Sequence, residues 1–254
     1  MKIALLALCA ALLCVFSFSA YKIISTLRGY KQAEEAYNKI SSQVVTVASP
    51  TPTPELSPDV TAPPEKSPID VDFAALKATS DDAVGWIYQP NTVINYPIAH
   101  TEDNYYYLDH ILGGEPNGNG TIFIDVKCAG DFSDKNTLVY GHNMNDGSMF
   151  ASLRNYRDPA YYPDHPVLYI STPDKNYRLE LFTGFVTEPT SFAYANCFDE
   201  VEQFEHFIDS ARELSVFETD VEVTTEDRLV TLSTCTYEFD DARFVVIGKL
   251  VEIL

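Results

Sequence analysis

The segment "RLVTLSTCTYEFDDARFVVIGKLVEI", residues 228–253, has the strand pattern that is most informative about the fold. Two runs rich in β-branched and apolar residues, 228–235 and 243–253, flank the polar segment "TYEFDDA". Such runs, bounded by polar turn segments, predict two consecutive strands joined by a loop. The first strand ends at Cys235 and the second begins at Arg243. The sequence therefore predicts a strand pair that carries a thiol and a guanidinium at its loop end.

The same strand pattern recurs upstream of this pair. Candidate strands lie at residues 86–99 (two short strands around a Pro-Asn turn), 121–126, 136–142, 166–172 and 177–186. Apolar residues at helical spacing predict one long helix at 199–213, with Asp199 and Glu202 as a variant capping box. A second short helix is expected at 148–156. Many strands and few helices favour a mainly β protein with a closed or nearly closed barrel.

The N-terminal segment has the composition of a membrane span. Residues 3–21 are apolar apart from two serines, and Lys22 is the only charge in residues 3–24. About 20 such residues cross a bilayer as a helix. We therefore predict a retained anchor, with a cleaved signal peptide as the alternative. The distribution of basic residues on its own favours a cytoplasmic position for the following chain, but the chemistry described below leads us to expect an extracellular one.

A proline-rich segment, "SPTPTPELSPDVTAPPEKSP" at residues 49–68, follows the apolar run. Such a segment cannot bury a core and favours an extended, semi-rigid stalk. We therefore predict three parts. They are a transmembrane signal-anchor at 1–24, a juxtamembrane helix and Pro-rich stalk at 25–68, and a catalytic β-barrel domain at 69–254.

The charge of the chain excludes one class of partner. Residues 1–40 contain five basic and two acidic residues, which leaves 12 basic and 35 acidic residues in the remaining chain. A surface this acidic repels phosphate backbones, so we expect no nucleic-acid partner.

The cysteines argue against two structural uses of thiols. Cys128, Cys197 and Cys235 lie outside the apolar run, and none of them belongs to a CxxC pair. An odd number of cysteines without CxxC spacing argues against a disulfide framework and against a zinc site. At least one of the three is unpaired within the chain, and the pairing of Cys128 with Cys197 stays open. The carboxylates are scattered rather than arranged as a calcium loop, so no metal is expected.

Three residues combine the types that nucleophilic catalysis needs. Cys235 and His142 each end a predicted strand, and Arg243 begins the next one, so all three can meet at one rim of a barrel. A thiolate can attack, an imidazole can move protons, and a guanidinium can hold carbonyl oxygens and developing negative charge.

Four strings of sequence resemble one known family. They are "VGWIYQPNTVINYPIAHTEDNYYYLDH" (84–110), "GTIFIDV" (120–126), "YGHNMNDGSMFASLRNY" (140–156) and "TLSTCTYEFDDARFVV" (231–246). Together with the helix at 199–213, they resemble the class B sortases, and the likeness covers residues 70–254. The resemblance implies a closed sortase-type β-barrel of about eight strands, with an N-terminal helix and a long helix between two late strands.

The resemblance also implies the roles of the residues. Cys235 is expected to form a thioacyl intermediate, His142 to transfer protons, and Arg243 to position the substrate and stabilise the oxyanion. The groove is expected to include part of segment 187–198, and the matching substrate-binding positions are Asn104, Leu108, Tyr140, Tyr194 and Ser233. No cofactor and no metal are expected.

The partners implied by the resemblance are a surface protein and a cell-wall precursor. The enzyme is expected to cleave a Thr–Gly or Thr–Asn type bond in a C-terminal sorting motif. It then transfers the surface protein to an amine of a lipid II-type peptidoglycan precursor. The predicted location is the cell membrane, with one span and an extracellular catalytic domain of the Gram-positive type.

Three alternative functions remain from the sequence. A class B pilin polymerase would use a pilin lysine as the acceptor. A hydrolytic cysteine protease would resolve the thioester with water, although a papain-like chain has its cysteine before its histidine. A non-enzymatic stalked adhesin would explain the anchor and the stalk but not the Cys235, His142 and Arg243 set.

Overall fold

The N-terminal part of the chain is one long helix that leads into a small sheet. The computed structural model describes residues 2–47 and 65–254. Helix α1 (Lys2–Val44) continues directly into β1 (Val45–Val47), which pairs antiparallel with β2 (Ile69–Val71). Within the described residues, α1 is the one helix long and apolar enough to cross a membrane. Most of the predicted stalk, residues 48–64, lies outside the described residues.

Eight further strands close into a barrel. The short helix α2 (Phe73–Lys77) precedes them. The strands are β3 (Ala83–Tyr88), β4 (Asn95–Ala99), β5 (Ile122–Ile124), β6 (Asn136–Tyr140), β7 (Val167–Ser171), β8 (Asn176–Thr187), β9 (Leu229–Cys235) and β10 (Arg243–Ile253). Their order around the barrel is β10-β8-β7-β3-β4-β5-β6-β9. The neighbours β4/β5 and β6/β9 run parallel, and the other neighbours run antiparallel.

The barrel closes around a continuous apolar core. Trp86, Ile98, Leu138 and Phe244 are among its members, and each is at most 2% exposed. Closing the sheet pairs both edges of every strand, which removes the unpaired edges of an open sheet. The prediction of a closed barrel of about eight strands is confirmed.

The long helix α3 (Val201–Glu213) lies between β8 and β9, as predicted. Its buried residues, Phe204, Phe207, Ile208 and Ala211, recur at helical spacing and pack against a second apolar cluster on β8, β9 and β10. The predicted capping box is wrong. Glu200 is the N-cap residue and makes no side-chain cap bond, whereas Gln203 accepts a hydrogen bond from the backbone N–H of Asp199 (3.1 Å).

The short helix expected at 148–156 is a 3₁₀-helix that lies slightly later in the chain. The chain there makes a 3₁₀-helix over Ala151–Arg157, followed by a second one over Pro159–Asp164. Pro163 lies inside the second one, and because proline lacks the N–H for a longer helix, the element stays short.

The second half of α1 packs against the barrel. Ala33, Tyr37, Ile40 and Val44 are buried and recur every three or four residues, so they form one apolar stripe. The Tyr37 hydroxyl donates to the Gly120 carbonyl, and its ring meets that of Tyr96 edge-on at 5.3 Å. Residues 33–47 therefore belong to the same packed unit as the barrel, whereas the sequence placed the start of that unit at residue 69. The predicted division into three parts stays a prediction.

Candidate active site

The ends of three neighbouring strands meet at one rim of the barrel. The parallel strands β6 and β9 both end there, with Tyr140 opposite Ser233. Arg243, the first residue of β10, lies directly opposite Cys235, the last residue of β9. His142 follows β6 by two residues and lines the same cavity as Cys235 and Arg243. The structure therefore brings together the three residues to which the sequence assigned the chemistry; their roles stay a prediction.

The loop that carries His142 is tied to β9 by hydrogen bonds. The Thr234 hydroxyl donates to the Gly141 carbonyl (2.8 Å). On the other side of His142, Asn143 Nδ2 donates to the carbonyl oxygen of Cys235 (2.8 Å). These bonds hold the backbone on both sides of His142 against the strand end that presents the thiol.

The imidazole of His142 faces the opposite wall of the cavity. Its Nε2 lies 2.7 Å from the carbonyl oxygen of Leu108. A carbonyl oxygen can only accept, so the partner assigns the proton to Nε2. The thiol of Cys235 is free and partly exposed, and within the described residues no hydrogen bond joins it to His142.

Arg243 is held by its own loop. Its Nη1 donates to the carbonyls of Asp241 (2.8 Å) and Ala242 (3.1 Å). Among the described residues no carboxylate lies within ion-pair distance of the guanidinium. The charge and the remaining donors of the fork are therefore available to a ligand.

A groove of about 560 Å³ surrounds these residues. All five predicted substrate-binding residues line it, namely Asn104, Leu108, Tyr140, Tyr194 and Ser233. The hydroxyls of Tyr194 and Ser233 lie 2.8 Å apart, and the rings of Tyr140 and Tyr194 stack at 6.3 Å. Burial raises the pKa of Tyr194, and the Ser233 hydrogen bond and the Arg243 charge oppose that rise. Tyr194 therefore stays a neutral donor at physiological pH.

Asp125 is a groove residue to which the sequence reasoning assigned no role. Its Oδ2 accepts from Asn104 Nδ2 (3.0 Å) and from the Tyr140 hydroxyl (2.8 Å), and its Oδ1 accepts from the Lys127 N–H (2.8 Å). Burial, and then the Asp125 charge, raise the pKa of Tyr140. The sequence offered no signal for this role, because β5 runs antiparallel to β6 and Asp125 therefore lies beside Leu138, short of the rim where β6 ends.

The other two cysteines of the barrel are separate from this site. Both are free thiols, Cys128 buried and Cys197 exposed, so the structure contains no bridge between them. Burial raises the pKa of the Cys128 thiol to about 11, which leaves it protonated and inert. Among residues 2–47 and 65–254, no cluster of three or more His, Cys, Asp or Glu side chains is arranged to hold a metal ion.

Comparison with known proteins identifies the family. The sortase domain model matches residues 87–251. Sortase B of Listeria monocytogenes is 39% identical over 178 residues, which are 69% of this chain and 72% of the relative.

Two solved structures share the fold. Sortase B of Bacillus anthracis in complex with AAEK1 has a TM-score of 0.73 and 32% identity, over 89% of this chain and 99% of that one. The Staphylococcus aureus sortase B–substrate complex has a TM-score of 0.68 and 31% identity, over 71% of this chain and 84% of that one.

These likenesses do not favour the hydrolytic protease, the pilin polymerase or the adhesin. One conclusion follows from the strand register, from the similar proteins, and from the rim that holds Cys235, His142 and Arg243. The chain belongs to the sortase family of cysteine transpeptidases, which anchor surface proteins, and within it to class B.

Proposed function

We propose that Cys235 is the nucleophile of the transpeptidation. Its thiolate attacks the carbonyl carbon of the scissile peptide bond, and the C–N bond breaks to leave a thioester on Sγ. The single observation that carries this assignment is the position of Cys235. It is a free, partly exposed thiol at a strand end, opposite the Arg243 guanidinium and beside the His142 loop, which is hydrogen-bonded to the same strand.

His142 transfers the protons of both half-reactions. It donates a proton to the amine that leaves, and it later takes one from the amine that attacks the thioester. For the first transfer the ring, which contacts the Leu108 carbonyl through Nε2, takes up the proton of the Cys235 thiol and becomes an imidazolium; it then gives one proton to the leaving amine and is left neutral. Rotation of the imidazole away from that carbonyl then directs the ring towards the reacting bond.

Arg243 stabilises the oxyanion and orients the substrate. A guanidinium presents a planar fork of donors that can bind two oxygens together. The main-chain bonds to Asp241 and Ala242 fix one arm of the fork, and because no carboxylate in the described part of the chain pairs with the guanidinium, the other arm is left for a ligand.

The donor substrate is a surface protein with a C-terminal sorting motif, cleaved at a Thr–Gly or Thr–Asn type bond. The polar lining of the groove supports an extended peptide, because the hydroxyls of Tyr194 and Ser233 and the amide of Asn104 can pair with main-chain and side-chain groups. A Staphylococcus aureus relative has been solved with its substrate. The acceptor is the amine of a lipid II-type peptidoglycan precursor.

Sortases act on the cell surface, and the apolar N-terminal helix is a possible membrane anchor. We propose that α1 crosses the membrane once and that the barrel lies outside the cell. The exposed apolar residues of α1 end at Leu27, and the buried stripe begins at Ala33, so one helix can join the bilayer to the barrel.

Replacement of the nucleophile tests the proposed chemistry. Cys235→Ala should abolish cleavage of a sorting-motif peptide and formation of the ligated product with an added amine, while thermal unfolding changes little. Cys197→Ala removes another exposed thiol and serves as the matched control, which should keep full activity. Activity in Cys235→Ala, or loss of activity in Cys197→Ala alone, would overturn the assignment.

A further inference from the structure

A second cavity, of about 660 Å³, lies where α1 meets the barrel. One wall is the segment of α1 from Tyr21 to Gln32, and the other is the loop 116–119 together with Met144. Asn117 joins the two walls, because its Nδ2 donates to the Gly29 carbonyl of α1 (3.0 Å). The cavity is therefore a fixed feature of the docked helix rather than a gap between independent parts.

The lining of this cavity is cationic in an acidic protein. Lys22 and Arg28 contribute two positive charges, and no lining residue, all of them within the described part of the chain, carries a carboxylate. The whole chain has 37 acidic and 17 basic residues. A larger open groove on the barrel differs, because five acidic residues and only two basic ones, Arg178 and Lys249, line it. The charge of the α1 cavity selects for an anion.

The cavity also lies at the depth of lipid headgroups if α1 spans the bilayer. A hydrocarbon core of about 30 Å takes up about 20 helical residues, and the exposed apolar residues of α1 run from Ile3 to Leu27. Lys22 and Arg28 therefore lie at the end of the span. Tyr21 and Tyr30, which also line the cavity, are of the aromatic type that prefers the membrane interface.

The cavity is a neighbour of the active-site groove. Met144 lies two residues after His142, and the residue between them donates a hydrogen bond to the Cys235 carbonyl. On the other wall, Asn119 lines the cavity and Thr121 lines the groove. A headgroup bound in the cavity would therefore lie beside the groove in which the thioester forms.

We propose that this cavity binds the phosphate group of a membrane lipid. The inference rests on the proposed insertion of α1 in the bilayer, and the lipid-linked acceptor belongs to the class of ligands it names. The ammonium of Lys22 and the guanidinium of Arg28 bind the phosphate oxygens, and the lipid chain runs along the apolar part of α1.

Methionine methyl NMR tests the site on the full-length chain. The chain contains three methionines; Met144 lines the cavity, and buried Met149 serves as an internal control. The Cys235→Ala chain, labelled at the methionine methyls, is studied in micelles of an uncharged, phosphate-free detergent. It is titrated separately with phosphatidylglycerol, a polyprenyl diphosphate, diacylglycerol and inorganic pyrophosphate. The Met144 shift reports binding and needs no turnover, so the result does not depend on the proposed catalytic roles.

We expect a saturable shift of the Met144 methyl with at least one phosphate-bearing lipid, none with diacylglycerol, and at most a much weaker one with pyrophosphate. Whichever of the two phosphate-bearing lipids binds with the lower Kd identifies the source of the phosphate group. The double substitution Lys22→Gln, Arg28→Gln should weaken binding about tenfold or more, since each cation near a membrane surface contributes about 1 kcal/mol. Lys39→Gln, on the same helix outside the cavity, should not. Absence of a Met144 shift, equal binding of diacylglycerol or pyrophosphate, or undiminished binding in the double variant would each overturn the proposal.

Discussion

At the scale of single residues, the site separates the groups proposed to react from the groups that hold them. Arg243 is fixed by two carbonyls of its own loop, and His142 contacts the carbonyl of Leu108. Asp125 holds two side chains of the groove in place. The residue types at the reacting positions follow from the chemistry, whereas their partners are mostly main-chain atoms.

Arg243 should be sensitive even to a conservative change. Arg243→Ala should lower kcat/KM for peptide cleavage by about 10²–10³, as expected for the loss of an oxyanion donor. Arg243→Lys should recover only a small part, because lysine supplies charge without the planar fork. Arg212→Lys, in α3 and away from the groove, is the control. Steady-state kinetics with the sorting-motif peptide measure all three variants, and a nearly unchanged Arg243→Lys would reduce the role of Arg243 to charge balance.

Asp125 should act as a positioning residue for the peptide. In Asp125→Asn the side-chain NH₂ must face either the Lys127 N–H or the two donors from Asn104 and Tyr140. Either orientation places two hydrogen-bond donors against each other and leaves a buried donor without an acceptor, which costs about 1–3 kcal/mol of stability.

We therefore expect KM for the peptide to rise about tenfold, with a smaller change in kcat. Asp131→Asn, in an exposed turn, controls for the loss of one charge. A fall in thermal stability with no change in KM would show a purely structural role for Asp125.

At the scale of elements, strand periodicity predicted most of the barrel. The β-branched runs on either side of the polar segment 236–242 predicted β9, β10 and their order. The predicted strand ends indicated which residues share the rim. One contact of the site and the docking of α1 on the barrel could not be predicted in this way. The His142 contact uses the Leu108 carbonyl, and a main-chain atom leaves no signal in residue type. The docking of α1 on the barrel gave no clear sequence signal, because its stripe of four buried apolar residues follows the longer and more apolar run at the start of the helix.

The tether between the His142 loop and β9 should control the rate of the chemical step. Asn143→Ala removes the bond from Nδ2 to the Cys235 carbonyl and leaves the loop held at Gly141. A displacement of about 1 Å in a reacting group can cost up to about 10²-fold in rate, so we expect kcat to fall roughly tenfold or more. Asn145→Ala, exposed in the same loop, should have no effect, and single-turnover acylation measures the step directly. Equal rates in the two variants would contradict a positioning role for Asn143.

At the scale of the whole molecule, α1 links the proposed membrane span to the groove. Tyr37 contacts both Gly120 and Thr121, and Thr121 lines the groove. The strand pair β1/β2 continues this contact after the helix ends. The barrel is thus contacted by helix α1 on the side that carries the His142 loop and the cationic cavity.

A chain truncated to residues 65–254 should therefore be less stable than one that begins at residue 29. Ala33, Tyr37, Ile40 and Val44 bury their side chains on the barrel, and removing them exposes the apolar surface beneath. Buried side chains of this size contribute about 1.5–3 kcal/mol each at most, and ordering the helix opposes part of that gain. We expect a net loss of roughly 3 kcal/mol, which lowers Tm by about 6–12 °C in a domain of this size.

Two further variants locate the source of this loss in the docked stripe. Tyr37→Ala in the chain that begins at residue 29 should reproduce part of the decrease, and Lys39→Ala, on the exposed face of α1, should not. Burial raises the pKa of Tyr37, so the folded chain holds that proton more tightly than the unfolded chain. The docking contribution is therefore complete below the ordinary tyrosine pKa of about 10 and declines as the pH rises above it. Calorimetric scans at neutral and alkaline pH measure both effects. Identical Tm values for the two truncated chains would show that α1 packs on the barrel without stabilising it.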